Sequence, residues 1–236
     1  MKTQFRDRIE AGELLAGRLG QYAKSKDVLV LGLPRGGVPV AAIVAQRLQA
    51  PLDVLIVRKL GVPGHEELAM GAIATEGVRV LNQRVIESLQ IPDRAIAAAV
   101  AREQAELARR EQLYRQGRPL PVIRGRTVIL VDDGIATGST VRAAISVLRH
   151  HQAKRIVVAT PTISAATCQE MQDEADEIVA VLVPEEFFGV GQFYEDFSQT
   201  TDEEVQALLA LAATSPQGLF QPSAPHRQGL TRNQPS

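Results

Sequence analysis

Residues 128–140 read VILVDDGIATGST: four branched apolar residues, two adjacent carboxylates, then a run of small and hydroxyl-bearing residues. An apolar run of this length has the pattern of a strand buried on both faces. Val141, Ala144, Ile145 and Leu148 then recur at helical spacing. The unit is therefore a strand, a loop and a helix, with Asp132 and Asp133 at the carboxyl end of the strand, where open α/β sheets bind their ligands.

The same rhythm continues on either side. Residues 27–33 (DVLVLGL) form a second apolar run that ends in a Pro/Gly turn, and Ala41, Val44, Ala45 and Leu48 share one face of the helix expected over 38–48. Residues 52–57, 155–160 and 178–183 repeat the theme. Continuous apolar strands separated by helix-length segments call for a parallel sheet covered on both faces, so the expected fold is a doubly wound α/β sheet. Residues 61–82 break the pattern with a loop rich in Gly, Pro, His and Glu, followed by AMGAIA and VRVL around Glu76-Gly77, which read as a hairpin. A long helix is expected over 94–115. Its Arg102, Arg109, Arg110 and Arg115 alternate with Glu103, Glu106 and Glu111, the pattern of a solvated face and not of a nucleic-acid segment.

Composition narrows the function classes. The 236 residues, 45% of them hydrophobic, suit one elaborated domain over 1–215, with a core at about 25–183 and a small hood at 184–200. After Phe220 the sequence holds almost no apolar side chains, and residues 216–236 are expected to be a disordered tail. With 26 Lys and Arg against 27 Asp and Glu, the chain lacks the basic excess of a protein that coats nucleic acid or anionic membrane. The single Cys168 can form neither an intramolecular disulfide nor a zinc pair, which points to a reducing, cytoplasmic setting. No segment has the length of a membrane span, and the first residues carry scattered charges instead of an export leader.

The loop chemistry suggests a ligand. Two carboxylates at a strand end suit sugar hydroxyls, and the amides that open the following helix suit a phosphate. A nucleotide-triphosphate loop would need a lysine that residues 134–140 lack, and Gly32-Leu33-Pro34-Arg35-Gly36-Gly37 has the wrong spacing for a dinucleotide fingerprint.

VILVDDGIATGST resembles the PRPP-binding motif of type I phosphoribosyltransferases, PRPP being 5-phosphoribosyl 1-pyrophosphate, and the resemblance extends over roughly residues 25–200. It implies that Asp132 and Asp133 hold the ribose hydroxyls, and that Ile135, Ala136, Thr137, Gly138, Ser139 and Thr140 hold the 5′-phosphate. LPRGGVPVA is similar to the family's pyrophosphate loop, with Arg35, Gly36 and Gly37 as ligands, and such loops often contain a non-proline cis peptide. VRKLGVPGHEELAMGAIA resembles the flexible catalytic loop, which makes Arg58 and Lys59 the candidate charges facing the leaving group. His65, Glu66 and Glu67 read as a solvated loop. Mg²⁺ is expected to arrive with PRPP, without a dedicated set of protein ligands.

VPEEFF resembles the base-covering hood, with Phe187 and then Phe188 as acceptor-binding candidates. Phe193, Tyr194 and Phe197 are expected to anchor a C-terminal helix that begins near Thr201. The pattern as a whole most resembles the family's uncharacterised members. Ala136 stands where 6-oxopurine enzymes of the family carry an Asp, so the implied acceptor is an unidentified nitrogen compound. The implied activity is transfer of ribose 5-phosphate from PRPP with release of Mg-pyrophosphate, and homodimers are common in the family. The alternatives are a PRPP- or nucleotide-sensing regulator of the same fold and a PRPP-hydrolysing variant.

Overall fold

The computed structural model describes residues 3–214, apart from the Glu67 side chain; the tail expected at 216–236 lies outside the described residues. The chain runs α1 (Arg8–Arg18), β1 (Val28–Gly32), α2 (Gly37–Leu48), β2 (Leu52–Val54), β3 (Val57–Val62), β4 (His65–Ala74) and β5 (Arg79–Leu81). It continues through α3 (Gln83–Ser88), α4 (Asp93–Arg115), β6 (Thr127–Val131), α5 (Ser139–His150), β7 (Arg155–Thr162), α6 (Ala165–Met171), β8 (Glu177–Leu182) and α7 (Asp202–Thr214).

Five strands form a parallel sheet in the order β2-β1-β6-β7-β8, the doubly wound arrangement expected from their apolar runs. Residues from α1 and α2 pack with Val28, Val30, Ile129 and Val157 on one face. Residues from α5 and α6 pack with Leu29, Leu31, Leu130 and Val158 on the other. Because both faces are covered, every residue of β1 is buried and no polar alternation marks the strand. Gly32 pairs with Val131, so β1 and β6 end level and the loops that follow them emerge side by side.

Three features depart from the sequence reading. The apolar run 52–57 is not one strand: Leu52–Val54 pairs in parallel with β1, whereas Val57–Val62 turns away and pairs with β4. Burial is continuous from Val54 through Val57, so hydropathy carries no mark of the break. The loop expected after Gly61 is accordingly a tight turn at Pro63 and Gly64 (φ +80°), and β4 starts at His65. The hairpin read at β4–β5 is present, as two strands of a three-stranded antiparallel sheet.

The third departure is α1, which the sequence reading did not separate from the charged N-terminus. Asp7 caps it by accepting from the Glu10 amide, and Glu10 accepts from the Arg6 amide. Its Gly12 lies so close to α2 that a Cβ there would come within 2.9 Å of the Ile43 Cβ. Ala11, Leu15 and Ala16 are buried by this contact or beside it, which fixes where Arg8 stands. Among the described residues, no helix is long and apolar enough to cross a membrane.

Candidate active site

The site is built from the two level loops. After β1 the peptide between Pro34 and Arg35 is cis, and the Gly37 amide donates to the Leu33 carbonyl oxygen (3.1 Å). Gly36 and Gly37 then run directly against the carboxylate pair. A Cβ on Gly36 would fall 1.9 Å from Asp133 Oδ2, and one on Gly37 would fall 2.7 Å from the Val131 carbonyl oxygen. The absence of both side chains is what lets the Gly36-Gly37 backbone lie against the two carboxylates.

Asp133 donates its amide to Asp132 Oδ1 (2.9 Å). Burial, and then the neighbouring Asp133, push the Asp132 carboxyl well above the ordinary carboxylate range. Burial also raises Asp133, against the opposing charge of Arg8. Arg8, from the start of α1, donates to Asp133 Oδ2 through Nε (2.9 Å), with Nη2 in ion-pair contact with the same oxygen (2.9 Å). The Tyr194 hydroxyl donates to the Asp133 carbonyl oxygen (2.6 Å). Burial first, and the adjacent carboxylate second, raise the Tyr194 phenol and keep it a donor. Neither Arg8 nor Tyr194 was a candidate from sequence. The only local signal was Asp7 three residues ahead of Glu10, a helix start that brings Arg8 into its first turn.

The loop at 134–138 is braced from β7 and α6. Buried Ile135 exchanges backbone bonds with Thr162 and Ser164, and the hydroxyls of Ser164 and Thr167 donate to the Ala136 carbonyl oxygen. Thr137 accepts from Arg142 through its carbonyl oxygen. Gly138 adopts φ +71° and caps α5, so Ser139 and the exposed Thr140 form the first helical turn. Amides in such a turn have no partner within the helix and point at whatever anion sits before it. A cavity of about 830 Å³ between β4, β5, α3 and α5 reaches Thr137 and Ser139.

The three basic candidates separate. Lys59, on β3, reaches Ser139 Oγ (3.3 Å) and so stands at the start of α5. Arg58, its neighbour on the opposite face of the strand, is turned to α4, where Nε and Nη2 donate to Glu103 Oε2 (2.8 and 2.6 Å). The Arg35 guanidinium lies 3.9 Å from Asp202 at the start of α7, a carboxylate that also accepts from Arg109 and from the Tyr114 hydroxyl. Arg58, expected to face the leaving group, is thus directed to α4 in this conformation. The even alternation of a strand puts consecutive side chains on opposite faces, and Lys59 has the inner one.

The hood divides differently from its sequence reading. Phe187 stacks on Phe193 with ring centroids 5.0 Å apart, whereas Phe188 is 91% exposed, its amide held by Gln192 Oε1 (2.8 Å). Phe188 thus presents an open aromatic face, and Phe187 is partly committed to packing. Phe193 and Tyr194 do serve as anchors, but they cluster with Phe5 and Ala11 of the N-terminal segment, not with α7. Phe197 is 38% exposed and packs against Tyr194. Val190 closes on the motif: a Cβ on Gly134 would meet its Cγ1 at 2.2 Å. Among the described residues, no group of three or more His, Cys, Asp or Glu is gathered for a metal.

Comparisons with known proteins agree with this architecture. The model of the phosphoribosyl transferase domain matches residues 6–197. A Mycobacterium tuberculosis H37Rv protein, provisionally named a phosphoribosyl transferase, is 50% identical over 205 residues, which cover 87% of this chain and 46% of that protein. The chain thus spans about half the length of the curated relatives it matches. The crystal structure of TT1426 from Thermus thermophilus superposes with a TM-score of 0.81 at 43% identity, covering 87% of this chain and 97% of that one. The bifunctional protein PyrR of Brevibacillus brevis is 34% identical over 100 residues, 40% of this chain and 55% of that protein. With the motif, the level loops and the matched span in agreement, the chain belongs to the phosphoribosyl transferase domain family.

Proposed function

We propose that the protein transfers ribose 5-phosphate from Mg-bound PRPP to a nitrogen acceptor of nucleobase type. The observation that carries this reading is the contact of the side-chain-free Gly36 and Gly37 with the Asp132–Asp133 pair. It brings an amide-lined loop for pyrophosphate and two carboxylates for ribose hydroxyls together at the mouth of the sheet. Mg²⁺ enters as part of the substrate, held by phosphate oxygens and water.

In this reading, Asp132 and Asp133 accept from the ribose hydroxyls and the amides of residues 136–140 hold the 5′-phosphate. The C1–O bond breaks with its electron pair leaving on pyrophosphate, and the acceptor nitrogen forms the new bond at C1 from the opposite face. The displaced acceptor proton goes to solvent. The backbone of Gly36 and Gly37 stabilises the departing anion, assisted by Lys59 where the β3–β4 hairpin closes. Phe188 covers a flat acceptor.

Two outcomes follow. Lys59→Met lowers kcat about a hundredfold, the effect of losing one preorganised donor, with the thermal unfolding midpoint unchanged; stopped-assay pyrophosphate release measures it. Equal rates for the variant and the parent would remove Lys59 from the chemistry. PRPP affinity also falls as pH is lowered. A protonated carboxyl is a poorer acceptor for a hydroxyl, and Asp132 takes up its proton above the ordinary carboxylate range. Calorimetric titration at stepped pH shows this loss for the parent and a flatter profile for Asp132→Asn.

A PRPP-sensing regulator is the second reading. The observation in its favour is that Arg58 and Arg35, two of the expected leaving-group charges, are both engaged by carboxylates. PRPP binding without pyrophosphate release against any base would support it. Pyrophosphate and ribose 5-phosphate formed without a base would indicate hydrolysis.

A further inference from the structure

Arg8 is bound more fully than a surface arginine. Its side chain is 12% exposed, and two of its nitrogens converge on the same oxygen, Asp133 Oδ2. Nη1 donates to the Ser198 carbonyl oxygen (2.7 Å), and the guanidinium lies 4.2 Å from the Phe197 ring centroid and 5.9 Å from that of Tyr194. A planar, permanently charged fork held on an aromatic face is preorganised for its partner. Oδ2 is also the oxygen that occupies the space left by the missing side chain of Gly36. Oδ1 is the oxygen that Arg8 does not engage.

We propose that Arg8 is a positioning residue of the ribose site: by saturating Oδ2 it fixes Asp133 so that Oδ1 accepts from the sugar, and it ties that geometry to the packing of the hood on α1. The proposal rests on the reading that Asp133 receives a ribose hydroxyl. It adds a contribution from the N-terminal segment, since Phe5 and Ala11 pack with Phe193 and Tyr194, and Tyr194 in turn holds the Asp133 backbone. The titratable and charged groups facing Asp133 are Asp132 beside it, Arg8 from α1 and Tyr194 from the hood. With Arg8 gone, the largest influence opposing burial at Asp133 is lost, so its carboxyl takes up a proton at higher pH.

The experiment compares the parent with Arg8→Met and Arg8→Lys. ¹³C-carboxyl NMR of the ligand-free proteins follows the titration of Asp133, and calorimetry with Mg and PRPP across pH measures binding. The expected result is an upward move of the Asp133 midpoint in Arg8→Met and about a tenfold loss of PRPP affinity, with the pH dependence displaced in the same direction. Arg8→Lys, which keeps the charge without the fork, recovers part of both. If Arg8→Met titrates and binds as the parent does, or loses only thermal stability, Arg8 is not a positioning residue. A parent protein that binds no PRPP overturns the underlying reading, and the NMR titration still decides the Arg8–Asp133 coupling. Arg8→Lys serves as the folded comparison should the methionine variant not fold.

Discussion

Asparagine at both Asp132 and Asp133 is expected to lower the affinity for Mg-bound PRPP by roughly a thousandfold. Each carboxylate supplies a charge-assisted acceptor to a ribose hydroxyl, and such bonds contribute about 2 kcal/mol apiece, so losing both costs about 4 kcal/mol of binding. Asparagine keeps the volume, and its amide oxygen still accepts from Arg8 and from the Asp133 backbone position, so the loops retain their shape. Isothermal titration with Mg and PRPP measures the loss. Affinity within a fewfold of the parent would mean that the pair does not hold the sugar.

Gly36→Ala is expected to have the second large effect, on folding and on binding together. The new Cβ would lie 1.9 Å from Asp133 Oδ2, the atom that Arg8 holds from the other side, so either the carboxylate or the loop must move. Overpacking of this kind costs about 1–3 kcal/mol of stability, and the displaced carboxylate removes a ribose contact in addition. Gly17→Ala is the matched control. Gly17 sits on the exposed side of α1, where a Cβ would meet nothing within 4 Å, and replacing glycine by alanine within a helix stabilises by about 1 kcal/mol. Thermal unfolding should therefore move in opposite directions for the two alanine variants. A Gly36→Ala protein as stable as its parent would show that the close approach of the two loops is not required.

The sequence made the parallel sheet legible because β1, β6 and β7 are buried on both faces, and continuous burial leaves an unambiguous apolar run. The same continuity hid the break between β2 and β3, where the change of sheet happens inside one run of buried residues. In the candidate site, Asp132, Asp133 and residues 134–140 were legible together because one short segment supplies their backbone and side chains. Arg8 was invisible because its partners lie more than a hundred residues away, at Asp133 and Ser198, and local spacing carries no trace of such a contact. The different packing of Phe187 and Phe188 has a similar cause. Two adjacent aromatics read alike until packing with Phe193 claims one of them. Arg58 and Lys59 likewise differ only in which face of β3 each occupies, a distinction that depends on the register with β4.

The most direct test of the account is pyrophosphate release from PRPP and Mg²⁺ by the purified protein, measured with and without a panel of nitrogen bases and with the ribosyl products identified by mass. The account predicts release that depends on one of the bases, together with its ribose 5-phosphate adduct, and loss of that activity in the Asp132→Asn, Asp133→Asn protein. No release with any base, in a protein that also fails to bind PRPP in the presence of Mg²⁺, would contradict it.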